Sequence, residues 1–170
     1  NDLNRLTGTA AIGHVRYGTS GNNSIANVQP FLFRFHDGDI ALAHNGNLTN
    51  AQTLKCELED KGAVFQSTSD TEILIHLIRQ KKNLGFLLLR KDCLVAALDP
   101  NGFRPMSIGQ FDNGAYVVVS ETCALDVVGA KFVRDVFPGE LVIIDKNGLR
   151  IDHYTTETKL AICSMEYIYF

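Results

Sequence analysis

A chain of 170 residues, 45% of them hydrophobic and 21% charged, carries enough apolar material for one buried core. Its net charge of −3 and the lack of any basic run exclude a phosphate-tracking surface, so no nucleic-acid partner is expected. No apolar run reaches the roughly 18–20 residues that span a bilayer, so no membrane partner is expected either.

The four cysteines, Cys56, Cys93, Cys123 and Cys163, are widely spaced, and the five histidines show no HxxxH or HxH spacing. That pattern argues against a disulfide scaffold or an internal zinc site and suggests a reduced, cytoplasmic globular domain. No secretory signal opens the sequence, whose natural start is expected to lie further upstream.

In chain order, the alternating run Phe31–Phe35 turns at Asp37-Gly38 into residues 39–43 and predicts a hairpin. Residues 48–61 predict a helix: Thr49 and Gln52 have capping-box spacing, Leu48, Ala51, Leu54 and Leu58 share a stripe, and Gly62 is the stop. Ser69-Asp70-Thr71-Glu72 reads as a second capping box, opening a helix whose buried stripe is Leu74, Leu77 and Ile78. The helix then gives way to residues 80–85, and the apolar run 86–89 begins at once. The helix barely has room to end and return, so residues are expected to be missing from the recorded chain near 80–85.

Residues 94–98 form a short apolar run ended by Asp99-Pro100-Asn101-Gly102. Residues 106–111 turn at Asn113-Gly114 into 115–119, and residues 141–144 turn at Asn147-Gly148 into 149–154, two further hairpins. Ser120 is placed to cap a short helix over 121–128. Three hairpins with little crossover material predict mainly antiparallel sheets covered by helices, an α+β layered domain. The finish inside the aromatic run Tyr167-Ile168-Tyr169-Phe170 suggests a polypeptide that continues.

Three polar clusters carry chemistry. In Gly13-His14-Val15-Arg16-Tyr17-Gly18-Thr19-Ser20, one arginine stands among apolar and glycine neighbours, where its guanidinium can grip a carboxylate; a surface arginine at a strand end has the same look. His44-Asn45-Gly46-Asn47-Leu48 lies where a strand-like run meets a helix-like one. There an amide side chain and a backbone N–H can converge as an oxyanion hole, although Asn-Gly is equally a hairpin signal. No alternating second strand follows it. Asp70 sits in the first turn of a helix, suited either to the helix dipole or to a ligand ammonium. Together these groups match an α-amino acid that bears a side-chain acyl group.

These segments, in this order, resemble the motif set of class II glutamine amidotransferases: 13–19, 43–48 and 69–72. Later segments, 99–109, 120–126, 134–140 and 163–170, narrow the resemblance to the purine-synthesis branch of that family. The resemblance implies the N-terminal-nucleophile hydrolase fold, an αββα sandwich of two mainly antiparallel sheets between helical layers. It implies that Arg16 binds the α-carboxylate of glutamine with help from Thr19, that Asp70 binds its α-ammonium, and that Asn45 and the Gly46 N–H form the oxyanion hole.

The family's nucleophile is a mature N-terminal cysteine, which by this resemblance falls upstream of Asn1; none of the four cysteines matches it. Cys163 aligns with one ligand of the [4Fe-4S] cluster that some members carry, the other reading being a small buried side chain. Cys56, Cys93 and Cys123 read as packing residues. The branch also implies a downstream phosphoribosyltransferase domain that uses phosphoribosyl pyrophosphate and Mg²⁺, and a homo-oligomeric whole protein. Another class II amidotransferase, or a glutamine-binding domain without catalysis, are the rival readings.

Overall fold

A computed structural model describes residues 5, 7–15, 25–79, 86–162 and 164. After a 3₁₀ turn (Ile25–Asn27) come β1 (Phe31–Phe35), β2 (Gly38–Ala43), α1 (Ala51–Glu59) and α2 (Asp70–Arg79). There follow β3 (Phe86–Arg90), β4 (Cys93–Ala97), β5 (Ser107–Gln110), β6 (Tyr116–Val119), α3 (Cys123–Val128), β7 (Lys131–Asp135), β8 (Glu140–Asp145) and β9 (Gly148–His153).

All three expected hairpins form, as β1–β2, β5–β6 and β8–β9. Every pairing among the described strands is antiparallel. One sheet has the order β1-β2-β3-β4-β8-β9 and the other β6-β5-β7. The expected α+β sandwich is therefore what the chain builds.

Period-two alternation decides which side of the larger sheet meets which layer. Leu87 of β3, Ala96 of β4 and Val142 and Ile144 of β8 point to the smaller sheet, where they meet Ile108, Tyr116 and Val118. The intervening residues Leu88 and Val95, with Leu42 of β2, point the other way onto Leu74 and Ile75 of α2. A third cluster, Leu58, Ile73 and Leu77 with Leu48, Ala51 and Leu54, joins α1 to α2. On the far side, Leu125 of α3 packs against Gly109 of β5. The layers thus run from α1–α2 through two sheets to α3.

Helix α2 is buried between a sheet and a helix, so Ile73 and Ile75 join Leu74 and Leu77 in the core while Ile78 is only partly covered. Leu74 is fully buried. Leu74→Ala is expected to cost about 2–5 kcal/mol of stability, seen as a lowered urea midpoint; a shift worth under about 1 kcal/mol would mean the core collapses around the gap.

Local expectations needed correction at the helix starts. The Thr49–Gln52 box does not form: α1 starts at Ala51 with Asn50 in the cap position and no side-chain cap bond. The Leu48 carbonyl instead accepts the Ala51 N–H, so residues 48–51 make a turn before the helix. Helix α3 starts at Cys123 after Thr122, again without a side-chain cap, so Ser120 does not open it.

Half of the second box is present. Ser69 Oγ accepts the Thr71 N–H, but Glu72 is drawn elsewhere, as described below. Cys56 and Cys123 are exposed rather than packed, while Cys93 is partly covered. Cys56 lies on the open side of α1, and the Cys123 thiol donates to Glu121. Residues 80–85, where a gap in the chain was expected, lie outside the described residues.

Candidate active site

Strand β2 ends at Ala43, paired with Leu87 in the middle of the larger sheet, and the chain leaves it as His44-Asn45-Gly46-Asn47-Leu48. The His44 N–H donates to Gln29 Oε1 at 2.8 Å, which fixes the exit from the strand. Four residues on, the Leu48 N–H donates to Asp70 Oδ2 at 2.7 Å. The turn is thus held at both ends by side chains from other segments. It is no hairpin: a helix follows.

Between these anchors Asn45 is exposed, and among the described residues neither its amide nor the Gly46 N–H is engaged in a hydrogen bond. A Cβ on residue 46 would lie 2.9 Å from Nε2 and 3.3 Å from Cε1 of His44. Glycine is therefore what lets the backbone run against the imidazole. Two unengaged N–H donors next to each other are what a developing oxyanion needs.

Asp70 comes to this turn from the first position of α2, and its placement is over-determined. Glu72, almost fully buried, turns back to accept the Gln66 N–H (2.8 Å), the Ser67 N–H (2.7 Å) and the Ser67 hydroxyl (2.6 Å). Asn27 reaches over from the 3₁₀ turn, donating to Thr68 Oγ1 at 2.9 Å and accepting the Thr68 N–H at 3.1 Å. Loop 66–69 is clamped by these two side chains, and the start of α2 with it. Only Oδ2 of Asp70 is bonded among the described residues, to Leu48.

His44 is the electrostatic oddity. Burial pushes its imidazole below the ordinary value of 6.5 and His14 adds to the shift, while Asp70 and Asp99 oppose it. Its Nδ1 has no hydrogen-bond partner among the described residues. Below about pH 6.5 the unfolded chain binds a proton that the folded imidazole refuses. This stability contribution is therefore full above that pH and is lost as pH falls toward the lower folded value. His44→Gln is expected to flatten that part of the stability–pH curve. An unchanged slope would contradict the assignment.

Of the residues picked from the sequence, Asn45, Gly46 and Asp70 are brought together, although Asp70 lies 22 positions from the residue it anchors. Arg16, Thr19 and Cys163 lie outside the described residues. The sequence reading missed Gln29, Asn27, His44 and the buried role of Glu72; only His44, next to Asn45-Gly46, stood beside a visible signal. Among the described residues no group of three or more His, Cys, Asp or Glu side chains is arranged for a metal ion. No helix among the described residues is long and apolar enough to cross a membrane.

A two-sheet α+β domain with two donors exposed at such a turn has a layout that suits acyl transfer from an amide. The family model described as a glutamine amidotransferase domain matches residues 14–127, and the chain belongs to that family. Within it the similarity is to amidophosphoribosyltransferases. The chain is 48% identical to that of Staphylococcus epidermidis (94% of this chain, 36% of the relative) and 49% to that of Bacillus subtilis (99% and 39%).

A solved structure described as the allosteric regulatory enzyme of purine biosynthesis superposes with a TM-score of 0.84 at 46% identity, over 91% of this chain and 37% of that one. The glutamine phosphoribosylpyrophosphate amidotransferase of B. subtilis, complexed with ADP and GMP, gives 0.82 at 45% identity, over 91% and 37%. The chain spans less than two-fifths of the length of these curated relatives.

Proposed function

We propose that this chain is the glutamine-hydrolysing part of an amidophosphoribosyltransferase. The observation that carries the reading is the 44–48 turn, with two donors at Asn45 and Gly46 unengaged among the described residues and an aspartate bonded to its far end. Arg16, supported by Thr19, grips the glutamine α-carboxylate, and Asp70 takes the α-ammonium. The side-chain carboxamide then lies with its oxygen toward Asn45 Nδ2 and the Gly46 N–H. By the family pattern, the thiol of a mature N-terminal cysteine adds to the amide carbon and its own α-amine carries the proton.

As the carbon becomes tetrahedral its oxygen turns negative, and the two donors stabilise that charge more than they stabilise the neutral carbonyl. The C–N bond breaks, ammonia leaves with the carried proton, and water releases glutamate from the thioester. In the whole protein the ammonia displaces pyrophosphate from phosphoribosyl pyrophosphate and gives 5-phosphoribosylamine, the first committed step of purine synthesis. That step belongs to a further domain, with Mg²⁺ supplied there. Cys163 is the one candidate ligand in this chain for a [4Fe-4S] cluster of the kind some family members carry. A homo-oligomer in the cytoplasm completes the proposal.

The test uses the natural full-length polypeptide. Glutamate release from glutamine, raised by phosphoribosyl pyrophosphate and abolished by alkylating the N-terminal cysteine with a glutamine analogue, is the expected result. Saturable glutamine binding without ammonia release would favour a glutamine-sensing domain. Ammonia release coupled to a different acceptor would place the chain in another amidotransferase branch.

A further inference from the structure

The Asp70 carboxylate makes one hydrogen bond among the described residues, and it goes to the oxyanion turn rather than to its own helix. At 2.7 Å the Leu48 N–H to Oδ2 contact has the length of a charge-assisted bond. We infer that Asp70 is a positioning residue for the oxyanion hole as well as a ligand for the substrate ammonium, so that head-group recognition and acyl-oxygen stabilisation form one hydrogen-bonded unit. This deepens the glutaminase reading and rests on it.

The geometry divides the carboxylate in two. Oδ2 is committed to Leu48, two residues past Gly46, and Oδ1 is left for an ammonium. The Leu48 N–H is not used by α1, which starts only at Ala51, so Asp70 is its acceptor. The anchor is stiff: Glu72 and Asn27 clamp loop 66–69, and Leu74 and Ile75 are sunk in the core one turn further on. Opposite it, the His44 N–H is fixed to Gln29, and the imidazole fills the space beside Gly46. With both ends held, Asn45 and Gly46 have little freedom to turn their donors away. An aspartate that only bound the ammonium would affect capture of glutamine alone. One that also holds Leu48 affects the chemical step.

Two variants in the full-length polypeptide separate these roles, with KM and kcat measured for glutamine. Asp70→Asn removes the charge that attracts the ammonium but keeps a carbonyl oxygen that can accept the Leu48 N–H. Asp70→Ala removes both. KM is expected to rise in both, and kcat to be about two- to tenfold lower in Asp70→Ala than in Asp70→Asn, the range for one hydrogen bond to a neutral carbonyl. The same ordering is expected with glutaramate, which is glutamine without its α-amine and has no ammonium to lose.

Equal kcat values for the two variants would overturn the inference and leave Asp70 as an ammonium ligand only. A wild-type protein that releases no ammonia would instead overturn the glutaminase reading. Hydrogen exchange at the Leu48 amide needs neither activity nor a foldable Ala variant. Protection in the wild type that is reduced in Asp70→Ser supports the inference; an unprotected wild-type amide overturns it.

Discussion

Asn45→Ala is expected to lower the glutaminase kcat of the full-length protein by about 10²–10³-fold, the loss typical of one oxyanion donor. Asn45 is exposed, and its amide holds no other part of the fold together among the described residues. The same variant should therefore unfold at the wild-type temperature. That combination separates the two readings of Asn-Gly. A residue needed only for the turn would show its loss in stability and leave kcat nearly intact. An oxyanion donor does the reverse, because it contributes only once the carbonyl oxygen becomes negative. Turnover within a few-fold of wild type would make Asn45 a turn residue.

Glu72→Ala is expected to cost about 2–5 kcal/mol of stability, since it strips the acceptor from two backbone N–H groups, each worth about 1–3 kcal/mol when left unpaired in the interior. Ser67, which gives both its N–H and its hydroxyl to Glu72, is buried, so water is poorly placed to substitute. The damage should also reach the ligand. Loop 66–69 carries the start of α2, and releasing it loosens Asp70, so KM for glutamine is expected to rise as the urea midpoint falls. Glu72→Gln keeps one acceptor oxygen and should fall between the two. A loss of less than about 1 kcal/mol in Glu72→Ala would mean that the loop closes without the carboxylate.

What the sequence made legible was local, and what it hid was long-range. Turns at Asp37-Gly38, Asn113-Gly114 and Asn147-Gly148 announce three hairpins because their turn residues and flanking alternation are adjacent in the chain. That β4 pairs with β8, with the three strands of the other sheet and α3 between them in sequence, has no local signature. Strand β7 went unread because Lys131, Phe132 and Val133 are all exposed, so neither alternation nor a continuous apolar run marks it.

The site divides in the same way. Asn45-Gly46 and Asp70 were visible as residue types suited to their tasks. The Leu48–Asp70 and His44–Gln29 bonds that fix the turn join residues 22 and 15 positions apart, and nothing local announces them. Glu72 shows how a local rule loses to a tertiary one. Its spacing from Ser69 fits a capping box, yet three donors at Gln66 and Ser67 offer its carboxylate more than the single Ser69 N–H does, and that N–H goes to Ser67 Oγ at 3.3 Å.

The most direct measurement is a crystal structure of the full-length protein after reaction with 6-diazo-5-oxo-L-norleucine, a glutamine analogue that leaves a ketone in place of the carboxamide on the attacking sulfur. The account predicts the ketone oxygen within about 2.7–3.1 Å of both Asn45 Nδ2 and the Gly46 N–H. It also predicts the α-ammonium on Oδ1 of Asp70 while Oδ2 keeps the Leu48 N–H. A ketone oxygen turned toward solvent, with Asn45 and Gly46 out of reach, would contradict it.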